Sequence, residues 1–268
     1  MANSNANGYG VGVRRAEYIL LDSETGFPDV SSAALVYPTD IGGGRNFSIS
    51  PGEPNLIYHS DGDRVRATDS LAPTDGFSGT LTVGKQNLAV RAALTGVSER
   101  TLGEGKWMQW GTDKQGEEPR VGLLLAQQFV DLDTGQRNWR HYVVPSAQCI
   151  PAPSVMDENG TETTFSVNAT PVTRSLWYET LTVVNDGATE SSVAENIGVG
   201  KLQMCFAQGD GSTTAFTFDT DLPATAVEKI SVFVDGTEVT TGTTEAVTGV
   251  TWDTAPASGE LIAIVYES

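Results

Sequence analysis

The stretch RVGLLLAQQFV, residues 120–130, constrains the fold more than any other part of the chain. Successive side chains of a strand point to opposite faces. One face then carries Val121, Leu123, Leu125 and Phe129, and the other carries Leu124, Ala126 and Val130. A strand of a solitary antiparallel sandwich shows one polar face. The second face of this strand therefore needs a cover, either a helix or a neighbouring subunit.

A helix is available in TLTVGKQNLAVRAALTG, residues 80–96. Thr80 to Val83 alternate polar and apolar, as a half-buried strand does. The run that follows places Leu88, Ala92, Val90 and Leu94 at helical spacing, and predicts a helix over 85–95 with Gly96 as its left-handed cap. This helix is the intramolecular candidate for the second face, with a subunit contact left for whatever it does not reach.

Elsewhere the pattern is strands and turns. The 29 Gly, with many Thr, Ser and Val, favour strands joined by tight turns. Residues 1–13 are small and polar and read as a flexible N-terminal arm. Residues 14–185 read as the main β domain, with a hairpin turned at Asp133-Thr134-Gly135. The polar stretch 186–202 reads as a linker. Residues 203–268 form a second all-β module, in which Asp235-Gly236 is a two-residue hairpin signal. Leu261, Ala263 and Val265 alternate there with Ile262, Ile264 and Tyr266, in a strand apolar on both sides. The fold class is mainly β, with one short helix.

Charge narrows the function. With 34 acidic and 16 basic residues the chain carries −18, and no Lys/Arg cluster offsets it. Binding nucleic acid by phosphate neutralisation is disfavoured. The opening MANSNANGYG lacks the basic and apolar regions of a secretory signal, which predicts synthesis in the cytosol. No run of about 18 apolar residues occurs, so no membrane insertion is expected. Cys149 and Cys205, each among apolar neighbours, read as buried free thiols.

Catalytic patterns are missing. His59 and His141 are the only histidines, and neither sits at metal-ligand spacing with cysteines. The loops at 61–64, 131–135 and 209–212 lack the acidic series of a calcium loop and read as turns. No nucleophile elbow, phosphate loop or dinucleotide fingerprint is present. The expectation is a non-enzyme with no metal and no cofactor. One long polar connection, residues 98–119, still carries Trp107, Met108 and Trp110. Long loops of this kind are usually functional, and Trp is favoured at contacts.

The order of elements resembles the major tail tube protein of long-tailed, siphovirus-type bacteriophages. The resemblance spans roughly residues 9–185: NLIYHSDGDRVRAT leads to GFSGTLTVGKQNLAVRAALTG, then PRVGLLLAQQFVDLDTGQRNWRHYVVPSAQC, then NATPVTRSLWYETLTV. The C-terminal GDGSTTAFTF, VFVDGTEV and VTWDTAPASGELIAIVYE are similar to small Ig-like or related β domains appended to phage structural proteins. The resemblance implies a tail-tube-type β-sandwich/barrel in which six copies form a ring and rings stack into a DNA-conducting tube. It implies a virion tail component assembled in the host cytoplasm, with the tape measure protein and the tail terminator or distal tail proteins as partners.

A tube that conducts DNA must not hold it, and acidic walls repel phosphates. Asp61, Asp63 and Asp69 cluster beside an expected barrel strand and are the channel-lining candidates. Candidates for contacts between subunits or rings are Tyr9 on the arm, Arg64 and Arg66 on the same hairpin, Trp107, Trp110 and Leu124. The C-terminal module is expected to project as a decoration whose deletion spares assembly. Competing readings are a β-rich adhesin or carbohydrate-binding protein, a tail terminator and a capsid decoration protein.

Overall fold

The computed structural model describes residues 8–268 except 43, 52–54, 62–63, 72–76, 85–87, 98, 109–117, 133–134, 152–155, 158–159, 162, 170–193 and 199. Strands β1 (Gly8–Leu20), β2 (Thr39–Asp40), β3 (Gly44–Pro51), β4 (Asn55–Asp61), β5 (Arg64–Leu71) and β6 (Phe77–Val83) precede the helix α1 (Leu88–Thr95). After it come β7 (Glu99–Leu102), β8 (Gly105–Met108), β9 (Arg120–Asp131), β10 (Arg137–Pro151), β11 (Met156–Asp157), β12 (Gly160–Thr161), β13 (Thr163–Ala169) and β14 (Ala194–Gly198). The C-terminal part holds β15 (Leu202–Gln208), β16 (Ala215–Thr217), β17 (Ile230–Val234), β18 (Thr237–Glu238), β19 (Thr243–Ala246), β20 (Gly249–Trp252) and β21 (Leu261–Glu267).

The main sheet runs β2-β1-β9-β10-β13-β6-β3, antiparallel throughout. The long β10 shares its free side between two strands: Trp139–Val143 pair with β14, and Ala147–Pro151 pair with β13. The sheet curls until β3 lies beside β1 without pairing to it. Its concave face holds Ala16, Tyr18, Leu81, Leu123, Leu125, Val144, Phe165 and Val167. Helix α1 packs Val90 and Leu94 into that core. It ends as its sequence requires: Thr95 Oγ1 donates to Arg91 O at 2.8 Å, and Gly96 takes a left-handed φ of 69°.

The C-terminal part is a two-sheet sandwich. Sheet β15-β21-β17-β18 faces sheet β16-β20-β19. Cys205, Ala207, Ile262, Ile264 and Tyr266 meet Phe216, Phe218, Val250 and Trp252 between them. The Phe218 and Tyr266 rings stack with centroids 4.2 Å apart. Asp235 and Gly236 adopt φ of 46° and 77°, the paired positive values of a type I′ hairpin turn.

The mainly β class is as the sequence predicts, and two segment assignments differ. Residues 8–13, expected in a flexible arm, begin β1, where Gly8, Tyr9 and Gly10 pair with Asp131, Val130 and Phe129. Within the expected linker 186–202, residues 194–198 are β14, hydrogen-bonded into the main sheet, and Leu202 already starts β15. A backbone neighbour able to satisfy the peptide groups overrides a polar composition. The strand expected over 175–184 lies outside the described residues.

Candidate functional site

The predicted channel residues fall on a ribbon of two strands. β4 and β5 pair with each other and with no other described strand, with Asp61 opposite Arg64 and Asp69 opposite Ile57. Arg66 sits at the register shift of that ribbon. Asp63 lies outside the described residues. Tyr9 is on β1 opposite Val130, and Trp107 is on β8 opposite Arg100 in a second two-stranded ribbon, β7–β8. Trp110 lies outside the described residues. These candidates occupy three separate pieces of structure.

Leu124 is a correction. It is 3% exposed within the single chain. Neither α1 nor a second subunit covers it: α1 belongs to the concave core with Leu123 and Leu125, and Leu124 packs against the C-terminal sandwich. Register explains which side chains share its face. Glu17, Leu124 and Val143 form one row across β1, β9 and β10, and Arg15, Ala126 and His141 form the next. Ile19 and Leu21 continue the apolar face along the β1 side. Opposite stand Leu202, Met204, Phe206, Phe233, Leu261, Ala263 and Val265. The second apolar face of β9 and the second apolar face of β21 cover each other. The fit leaves a small gap among Ile19, Pro38, Leu124, Met204 and Phe206, about 10 Å³, no more than one water would need.

The segment after β1 reinforces this junction. Val36 N–H donates to Phe206 O at 2.7 Å, Phe206 N–H returns a bond to Val36 O at 2.9 Å, and Gln208 N–H donates to Ser32 O at 2.8 Å. Residues 32–36 thus occupy the edge of β15 that would otherwise stand open. Tyr37 then reaches into the sandwich. Its hydroxyl accepts from Asp219 N–H at 3.0 Å and lies 3.1 Å from the Tyr266 hydroxyl, which donates to Leu222 O at 2.9 Å.

One end of the junction is polar. Arg15 pairs with Glu17 and extends its guanidinium to Leu202 O at 2.9 Å and Gln203 Oε1 at 2.7 Å. Gln203 Nε2 donates to Ser268 Oγ at 2.7 Å. Leu202 N–H donates to His141 Nε2 at 3.0 Å, which puts the ring proton on Nδ1. That nitrogen is buried without a partner among the described residues. Burial first, then the positive charges of Arg15 and Lys201, push the His141 pKa down to about 3. Burial raises the Glu17 carboxyl, against the pull of Arg15. The arrangement holds a neutral imidazole as a hydrogen-bond acceptor.

Among the described residues no group of three or more His, Cys, Asp or Glu side chains is placed to hold a metal. Asp210, in one of the loops read as turns, spends its carboxylate on its own turn. It accepts from Ser212 N–H at 2.8 Å, from Thr213 N–H and from Thr213 Oγ1 at 2.8 Å, which holds its pKa well below the usual range. No helix among the described residues is long and apolar enough to cross a membrane. No family model matches this sequence, and no curated protein matches it. Sequence reasoning missed Arg15, Glu17 and His141, because only strand register brings His141 to the Arg15–Glu17 pair; the doubly apolar β21 was the visible signal of the junction itself.

Proposed function

We propose that the chain is a structural subunit of a phage tail tube, forming six-membered rings that stack into a DNA-conducting channel. The observation that carries this reading is the β4–β5 ribbon. Strands of seven and eight residues pair only with each other among the described strands. A two-stranded ribbon is marginal by itself in water and needs something to lie against. Rings that stack supply that partner. The ribbon carries Asp61 and Asp69, and a net charge of −18 per subunit, multiplied around a ring, makes a field that keeps a duplex centred and mobile. The second face of β9 is taken up within the chain, so contacts between subunits in this reading fall to the ribbons β4–β5 and β7–β8 and to the edges of β3 and β14 that no described strand pairs. The C-terminal sandwich is then an Ig-like domain fixed to the wall of the tube.

Electron microscopy of the purified full-length chain tests the proposal. Rings or tubes with six subunits per turn are expected. A monomer at high concentration, with no rings, contradicts it.

A further inference from the structure

We propose that the hydrogen bond from Leu202 N–H to His141 Nε2 is a proton-sensitive latch, through which acidification loosens the C-terminal sandwich from the main sheet. This goes beyond the tube reading and does not depend on it. Leu202 is the first residue of β15, so the latch sits where the chain crosses from one part to the other. His141 is 0% exposed, and the Trp139 ring, two residues along the same face, lies 6.3 Å away. A proton arriving at Nε2 removes the lone pair that accepts from Leu202 and sets N–H against N–H. Among the described residues, the charges that act on the ring are the cations Arg15 and Lys201. The Glu17 carboxyl gives one oxygen to Arg15, and its Oε2 is buried without a partner among the described residues. Asp40 on β2 acts on Glu17 and Lys201. At the register positions beside His141, β9 supplies Ala126 and β14 supplies Asn196, neither of them charged.

The sign follows from linkage. In the docked state the ring stays neutral down to about pH 3; released into water it titrates at about 6.5. Docking is therefore at full strength above about pH 6.5 and weakens as pH falls toward 3, since only the released form takes up the proton. Glu17 works the other way, because burial raises its carboxyl and so favours the docked form on acidification. A comparison in which both proteins keep Glu17 cancels that contribution.

Trypsin cleavage after Lys201 reads the latch. In the docked state Ser268 N–H donates to Lys201 O at 2.9 Å, which keeps that segment paired. Cleavage then tracks the population of the opened form. Full-length wild type and His141→Gln, whose amide oxygen accepts from Leu202 but does not titrate, are compared by mass spectrometry of the fragment beginning at Leu202. The ratio of wild-type to variant cleavage should be about tenfold higher at pH 5.5 than at pH 7.5. A ratio that stays flat overturns the latch. If the variant is cut rapidly at both pH values, the imidazole of wild type decides by NMR titration. A ring that stays neutral to pH 5 while cleavage rises upholds the proposal, and a ring titrating near 6.5 without added cleavage overturns it.

Discussion

Val36 and Phe206 exchange both of their backbone hydrogen bonds, at 2.7 and 2.9 Å, and so join the loop after β1 to the first strand of the C-terminal sandwich. The consequence is an interwoven chain. The C-terminal sheet borrows its edge from residues 32–36, the sandwich borrows Tyr37, and the main sheet borrows its second cover from the sandwich.

Removal of residues 203–268 is therefore expected to damage the main sheet, contrary to the sequence-based expectation that deletion spares assembly. It exposes Ile19, Leu21, Leu124 and Val143, each buried in the intact chain. Each such side chain contributes about 1.5–3 kcal/mol when fully buried. The truncated protein should be largely insoluble, or soluble with strong binding of an apolar dye and a lowered melting temperature. A truncated protein that melts like full length contradicts the interwoven arrangement.

Tyr37→Phe removes one hydroxyl that links Asp219 N–H to the Tyr266 hydroxyl. The expected loss is about 1 kcal/mol, the net worth of a typical hydrogen bond. Tyr37→Ala should cost more, because it also removes the ring that seats residues 32–37 on the sandwich. Urea unfolding of the two variants checks both values. Equal losses would show that packing of the ring contributes nothing.

Much of the fold was legible in local pattern. Gly96 and the Asp235-Gly236 pair have the positive φ that their positions predict, and the helix over 85–95 is described as Leu88–Thr95. The two doubly apolar strands were also legible, RVGLLLA in β9 and LIAIVYE in β21. What pattern does not carry is the partner of each face. Alternation fixes which residues share a side, and it is silent on whether a helix, a second subunit or a distant segment lies across from them. The same limit hid the junction's polar end. Arg15 and Glu17 lie two residues apart on β1, but His141 is far from them in sequence and joins them through two strand pairings, past a bulge between Val13 and Arg15.

Charge reversal on the ribbon tests the channel placement within the tube reading. In the tubes that form, Asp61→Lys combined with Asp69→Lys should make the bore retain short duplex DNA at low salt, with release as salt rises. Co-sedimentation across a salt series measures this. Tubes that bind no more DNA than wild type place these carboxylates away from the bore.

One chain covers its own greasy second sheet face, with Leu124 on one side and Met204 on the other lining the same small gap. A double-mutant cycle of Leu124→Ala and Met204→Ala, read by urea unfolding, measures it most directly. Side chains that share a packed site should show a coupling of about 0.5–3 kcal/mol. Losses that simply add, to within about 0.3 kcal/mol, would contradict the account.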